Sequence, residues 1–451
     1  MSEAVASVDK AYPDPGPILD WAPSRSLRLP LRGRVVTVRD GARVAARSLL
    51  AKPTHAQDVA LFAPVAGIVR QEADALALEP TSEPVTAWFP RDRPANAAAL
   101  LDALRDRGVV GLGGAGFPTH LKFAAPLTTL IVNAVECEPG VSADQAVLET
   151  RAEALVTTLG ELVELLQPRD TVIAIAQGNQ RARGLLAPRA EAFRLADAPA
   201  AYPAGSERQL VAALTGSPLA PGERPAARGI ACINLSTLAA IADALEGIPL
   251  THRVVTLGGP ACAKPGNYRL PFGLPIRDVA RELGDGRQAT IRTGGGLTGS
   301  LAGPDEVVGY GTIAIELLPG RSERTGAPCI RCGDCAPVCP ERLQPQRLLE
   351  SLPEPGAPSS GAAGLEACLL CGACTAVCPS AIPLNDLFSV GRAALLDERR
   401  ADAAASRSKA RYERHVAREA ARAERKAAEL RARRRGADAK SLIAAAQKRR
   451  K

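Results

Sequence analysis

The chain has 451 residues, 46% hydrophobic but only 3% aromatic, with a formal net charge of +8 and 11 cysteines. Its length allows roughly two to four domains with sizeable cores, packed mainly by Ala, Val, Leu and Ile. Eight of the 11 cysteines fall in two tight runs, which argues against a disulfide scaffold and for thiolates that hold metal in a reducing compartment.

The opening MSEAVASVDK is polar and lacks the apolar core of a signal peptide. Residues 1–28 are Pro-rich and read as an irregular N-terminus. From 29 to 92 the segments RVVTV, RVAARSLL and ALFAPVAGIVR read as short strands, with Gly67 at a turn. APVAGIV looks like half of a lipoyl/biotinyl-type sandwich. Such domains carry their cofactor on a hairpin-tip Lys, and no Lys occurs between Pro53 and Lys122, so a structural sandwich is expected.

Residues 95–250 turn α/β. A helix over AAALLDALRDRG precedes the glycine-rich GVVGLGGAGFPTHLKF of Gly108–Phe123. Then come a strand TLIVNAV, a helix from Asp144 to about Leu166, a strand TVIAIA, the segment AYPAGSERQLVAALTG and a helix over STLAAIADALEG. Residues 251–318 are Gly-rich with strands expected at HRVVTLGG, LPFGLPI and YGTIAIELL, a small β-rich module. Residues 325–395 hold the cysteine runs, with a flexible linker EPGAPSSGAAG at 354–364. The tail, 398–451, is Ala/Arg-rich and helical by propensity, with too few apolar residues for a coiled-coil seam. Residues 401–451 hold 17 Lys/Arg against 6 Asp/Glu, and the remainder 39 against 42, so a mildly acidic body carries a basic tail. The longest apolar stretches are strand-length, short of the ~18 residues of a membrane span. A cytoplasmic protein is expected, serving a membrane from its surface.

The cysteine runs are C-I-R-C-G-D-C-A-P-V-C-P and C-L-L-C-G-A-C-T-A-V-C-P. Both have the C-x2-C-x2-C-x3-C-P spacing of two-cluster ferredoxins, in which three cysteines of a winding loop cap one cubane and the fourth reaches the other. One [4Fe–4S] cluster is therefore assigned to Cys329, Cys332, Cys335 and Cys378, and a second to Cys368, Cys371, Cys374 and Cys339. Structural zinc uses two separated CxxC knuckles, and three cysteines at this spacing would crowd one ion.

A glycine-rich turn lets backbone N–H groups approach a phosphate, though the run at 111–116 lacks the strand context of a dinucleotide fingerprint. The strand after it ends in ECEPG, Glu136–Gly140, and two glutamates flanking a cysteine can accept from ribose hydroxyls or an isoalloxazine N–H.

Taken in order, GLGGAGFPTHLKF, NAVECEP, YPAGSERQLVAALTG and the two cysteine runs resemble the C subunit of the Rnf (Rsx) ion-translocating electron transport complex, over most of residues 29–392. The middle is similar, more distantly, to the NADH-binding flavoprotein subunit of respiratory complex I. The resemblance implies a multidomain α/β and α+β protein. Its parts would be an N-terminal β sandwich, an α/β FMN/NADH domain, a β-grasp module over 251–318, a ferredoxin-like two-cluster domain and a basic helical tail. By the family pattern Gly111, Gly113, Gly114, Gly116, Lys122, Asn133 and Glu136 would line an FMN site, with Asn234 nearby. Phe117, Glu138 and Glu207 would face the nicotinamide nucleotide, and Gly205 would allow close approach in the YPAGSE turn. Leu112 and Val135 depart from the complex I pattern, which has an Arg and an acid there.

The implied function is hydride exchange between NAD(H) and FMN, with single electrons passed through two [4Fe–4S] clusters to or from partner subunits and ferredoxin. The site would be the cytoplasmic face of the cell membrane, with the tail against anionic lipid or sister subunits. Hydride transfer needs no proton-relay residue from the protein, so no catalytic side chain is expected. His55, His120, His252 and His415 are read as surface or packing residues, and Cys137, Cys232 and Cys262 as buried small hydrophobes. One alternative is a soluble cobalamin reductase with the same flavin and cluster domains, against which the sandwich and tail argue. Another is an electron-wiring adaptor without flavin turnover. Nucleic-acid binding is not expected, because the body offers no aromatic platform for bases.

Overall fold

The computed structural model describes residues 15–82, 85–91, 93–114, 116–286, 289–320, 326–352 and 364–449. Nearly all of the linker expected at 354–364 lies outside these residues, as does the first half of the irregular N-terminus. The chain divides into two units: Met1–Glu350 with Glu366–Phe388, and Ser351–Leu365 with Ser389–Lys451.

The first unit begins with a strand where no element is expected. β1 (Ile18–Asp20) pairs in parallel with a strand far along the chain. The sandwich follows as two small sheets. One orders β2 (Leu27–Pro30), β8 (Ala75–Pro80), β7 (Gly67–Gln71) and β4 (Arg43–Val44), and the other β3 (Arg34–Val36), β5 (Leu49–Pro53) and β6 (Leu61–Phe62). Alternating side chains such as Leu27, Leu29, Leu76 and Leu78 are fully buried. Gly67 is not a turn residue. It pairs within β7, where a Cβ would lie 2.4 Å from the Glu79 carbonyl, so only glycine fits.

The α/β part is a parallel sheet of order β11 (Arg194–Ala198), β10 (Asp170–Ala176), β9 (Thr129–Ala134), β12 (Ile230–Asn234). β9, β10 and β12 are near-continuous apolar runs, as a sheet covered on both faces requires, whereas the edge strand β11 (RLADA) is not. One face is covered by α1 (Ala97–Asp106), α3 (Ala143–Leu166) and α6 (Leu235–Leu245), and the short α2 (Thr119–Lys122) packs on α1. Almost every residue of α6 is buried, which fits its apolar composition all round. The other face packs α5 (Glu207–Thr215) through Leu210 and Val211, after α4 (Gln180–Leu186) has returned the chain.

The β-rich module is a six-stranded sheet of order β1, β14 (Gly266–Pro271), β13 (His252–Gly258), β17 (Ala314–Pro319), β15 (Ala289–Thr293), β16 (Ser300–Leu301). Of the strand expected at LPFGLPI, only Leu270 and Pro271 are extended. Gly273 has φ +81, and the chain turns into α7 (Ile276–Leu283). One hydrophobic core runs from Leu27 through the α/β sheet to Leu317, so these three parts are packed as one body. The cysteine segment adds α8 (Pro345–Glu350) and α9 (Ala373–Ala376).

The last helix, α10 (Leu384–Lys448), is continuous through the boundary expected at 395–398. In the second unit its apolar residues Tyr412, Val416, Leu430, Leu442 and Ile443 are all exposed. Among the described residues no helix is long and apolar enough to cross a membrane.

Candidate functional site

In the α/β sheet the chain leaves β9 for β10 on one side, and β12 is added on the other. Ligands in open α/β sheets bind at such a switch point, outside the carboxyl ends of the strands. A cavity of about 1050 Å³ opens there, at the upper end of the about 300–1,000 Å³ usual for ligand pockets. Eleven of the twelve residues expected to bind FMN or nucleotide line it: Gly111, Gly113, Gly114, Gly116, Phe117, Lys122, Asn133, Glu138, Gly205, Glu207 and Asn234.

Local bonds explain why these segments converge. Asn133, at the end of β9, donates Nδ2 to the Gly205 carbonyl (2.7 Å) and accepts from Val135 N (3.0 Å), fastening the YPAGSE turn to the strand. Gly205 N donates to Cys137 Sγ at 3.3 Å, and a Cβ on Gly205 would lie 2.1 Å from the Val135 carbonyl. Asn234 caps α6 through Ser236 N (2.9 Å) and donates to Asp144. The glycine loop is held at Gly111 N by the Phe117 carbonyl (2.7 Å) and at Leu112 N by Thr237 Oγ1 (2.9 Å). The buried Arg253 donates to the carbonyls of Leu112 and Tyr310. A Cβ on Gly113 would meet Asn234 Cβ at 3.1 Å, whereas Gly114 faces open space at φ +127. The result is a floor of backbone rather than of side chains. Lys122 Nζ donates to the Cys232 carbonyl (2.6 Å) and to Glu207 Oε1 (3.0 Å), so the loop's cation is placed by β12 and α5.

Glu138 is 7% exposed, and burial pushes its carboxyl above the usual range against the pull of the Leu297 and Thr298 amides. Those amides donate to its Oε1 at 2.7 and 3.1 Å.

Glu136 is the exception. It does not line the cavity. Its two carboxylate oxygens accept from the Asp144 and Gln145 amides, at 2.9 and 3.3 Å, at the start of α3. The expected flavin ligand is a helix cap here, because ECEPG turns back over the α3 N-terminus.

Sequence reasoning missed several lining residues. Arg32 and Arg34 come from the sandwich, and Thr298 and Tyr310 from the β-rich module. The sandwich expected to be purely structural thus forms part of the wall. Tyr202, within the YPAGSE segment itself, was also passed over. Of the spare cysteines Cys232 is buried, and burial pushes its thiol up to about 12; Cys137 and Cys262 are only half-buried. His120 is buried, with Nε2 2.8 Å from the Ala56 carbonyl, and His252 shares a hydrogen bond with Thr251, so both act in packing.

The eight cysteines of the two runs line two further small cavities. Cys329, Cys332, Cys335 and Cys378 surround one; Cys339, Cys368, Cys371 and Cys374 surround the other. Both runs wind the same way: Arg331 and Leu370 have φ +58 and +55, and Gly333 and Gly372 +87 and +73. Left-handed turns at matching positions point three thiols inward. Burial, followed by neighbouring thiols, pushes Cys374 up to about 12, and burial pushes Cys371 to about 11. Thiols gathered so closely ionise readily only with a cation to share. Among the described residues no three Cys, His, Asp or Glu are spaced for a single metal ion. The second ring and the large cavity share a wall, since Leu369 and Cys371 line both.

Comparison with known proteins matches residues 104–243 to the Nuo51 FMN-binding domain and residues 328–382 to a 4Fe-4S dicluster domain. The C subunit of an ion-translocating oxidoreductase complex from Pseudomonas aeruginosa is 36% identical over 419 residues, 88% of this chain and 53% of that protein. Its counterpart from Klebsiella pneumoniae is 38% identical over 346 residues, 72% of this chain and 46% of that protein. The chain thus spans about half the length of the curated relatives it matches. A solved NAD+-reducing [NiFe]-hydrogenase in the H2-reduced state aligns with a TM-score of 0.48 at 23% identity, over 57% of this chain and 53% of that one. That likeness is too partial to carry a functional argument.

Proposed function

Because the chain is homologous over most of its length to the C subunits of ion-translocating oxidoreductase complexes, we propose that it is the electron-transfer subunit of such a complex. In this reading the large cavity takes FMN and, above it, NAD(H), and the two thiol rings take two [4Fe–4S] clusters. Electrons pass to or from partner subunits and ferredoxin. The observation that carries the reading is the shared wall: a ligand of one ring, Cys371, borders the cavity.

When bound, FMN supplies the exchange between a two-electron hydride and single electrons. The chain's residues bind and orient. Among the described residues the amides of Gly113 and Gly114 have no partner, which leaves them for a phosphate. Lys122 brings a fixed positive charge to the cavity, oriented by Glu207 and the Cys232 carbonyl. Phe117, with Arg224 5.7 Å from its ring, offers an apolar face at the mouth. Cys371 marks the exit.

An anaerobic titration tests this. The reconstituted protein should hold about eight iron per chain and one flavin that NADH bleaches. Bound flavin that NADH leaves oxidised, or iron without acid-labile sulfide, would refute it.

The proposed location is the cytoplasmic face of the membrane, as a peripheral subunit. The basic charge of 401–451 supports it, each Lys/Arg near an anionic surface being worth about 1 kcal/mol, screened by salt. Deleting 401–451 should release the protein from anionic vesicles at low salt without loss of flavin or iron; unchanged binding would remove the tail from the account.

A further inference from the structure

The two cysteine runs match in spacing and in their left-handed turns at Arg331 and Gly333 and at Leu370 and Gly372, yet their surroundings differ. In the first, Cys332 is exposed and a Cβ on Gly333 would meet nothing within 4 Å. In the second, Cys371 is half-buried, and a Cβ on Gly372 would lie 1.8 Å from the Leu297 carbonyl. Leu297 is itself held by Glu138 Oε1 (2.7 Å). From the cavity side, Tyr202 donates its hydroxyl hydrogen to the Cys371 carbonyl. The Cys371–Gly372 step is therefore gripped from two directions, and its twin from neither.

We propose that Tyr202 is a positioning residue that fixes the Cys371 turn against the cavity. By doing so it makes the cluster of Cys339, Cys368, Cys371 and Cys374, not its twin, the first acceptor of electrons from the cavity. This rests on the functional reading above. With both groups bound, NADH-reduced flavin would supply two electrons one at a time, and the oxidised cluster held by Cys339, Cys368, Cys371 and Cys374 would accept each in turn. A donor aimed at a ligand's peptide stabilises the more negative, reduced cluster.

The test is Tyr202→Phe in the reconstituted full chain. This substitution keeps the ring and removes one hydroxyl. The reduction equilibrium of the cavity-side cluster should fall about five-fold, the worth of one neutral hydrogen bond, which for a one-electron couple is roughly 40 mV. The twin's potential should not move, the two signals being told apart with Cys332→Ser. Amide exchange over 369–373 should quicken by about the same five-fold. Equal shifts of both clusters, or no shift with unchanged exchange, would overturn the proposal. If the wild-type protein holds no flavin that NADH reduces, the functional reading fails. Exchange over 369–373 then still decides whether Tyr202 grips the turn.

Discussion

The cavity and the thiol rings are built by opposite means. The cavity draws on segments from Arg32 to Cys371, brought together by strand ends, helix starts and one continuous core. The rings draw on two runs of eleven residues, Cys329–Cys339 and Cys368–Cys378, with little regular structure and few buried apolar side chains between them. A site of the first kind is shaped before its ligand arrives, because burial elsewhere stabilises it. One of the second kind depends on its metal for its fold.

Removing iron is the strongest way to break that contrast. Chelation under reducing conditions should abolish exchange protection over 326–349 and 367–384 while the α/β sheet keeps its own. A cysteine segment equally protected without iron would put the two sites on the same footing. The crossed grouping sharpens the point. Cys378→Ala and Cys329→Ala should each leave about four iron with the same residual spectrum, although 49 positions separate them, since both thiols line one ring. Different residual spectra would uncross the rings.

A smaller but substantial effect is expected in the cavity. Gly205→Ala places a Cβ 2.1 Å from the Val135 carbonyl and 3.0 Å from Cys137 Sγ, and the nearer obstacle is backbone that cannot swing aside. It should cost about 1–3 kcal/mol of stability, the range of an overpacked core, and flavin affinity should fall with it, with the iron retained. Thermal melting and flavin fluorescence measure the two. If iron were lost as readily as flavin, the sites would not be independent.

How much of this is legible in the sequence follows from the same contrast. The cysteines of each run lie within ten positions of one another, so spacing alone groups them, and the folded chain gathers the same sets of four. The parallel strands are equally plain, because LIVNAV and TVIAIA can only be buried. Arg32 and Tyr310 are not legible as wall residues. Nothing local sets them apart, and only the packing of sandwich and β-rich module on one core brings them to the cavity. β1 escaped notice for a related reason: three residues carry no periodicity, and its partner lies some 250 positions away. LPFGLPI misled because an apolar run of that length reads as a strand, and the positive φ at Gly273 is invisible until the chain turns there.

The smallest expected effect concerns the residue that the family pattern and the structure assign differently. Helix α3 has 24 residues, and its four leading amides need acceptors. Ser142, at its cap position, makes no capping bond with its side chain; its hydroxyl is engaged with Asn267 instead. Glu136 fills that role from outside, one oxygen to each of two amides, with its charge at the positive end of the helix. In Glu136→Gln one acceptor becomes an NH2 facing a backbone donor. The loss should be about 1 kcal/mol, as for a lost cap, with flavin affinity and NADH bleaching within about two-fold of wild type. A flavin ligand would behave in the reverse way, losing affinity while the melting point held. A Glu136→Gln protein that melts normally but releases its flavin would therefore return Glu136 to the cavity. It would also show that the ECEP loop is rearranged once the cofactor is bound, making the cavity less preformed than its contrast with the rings requires.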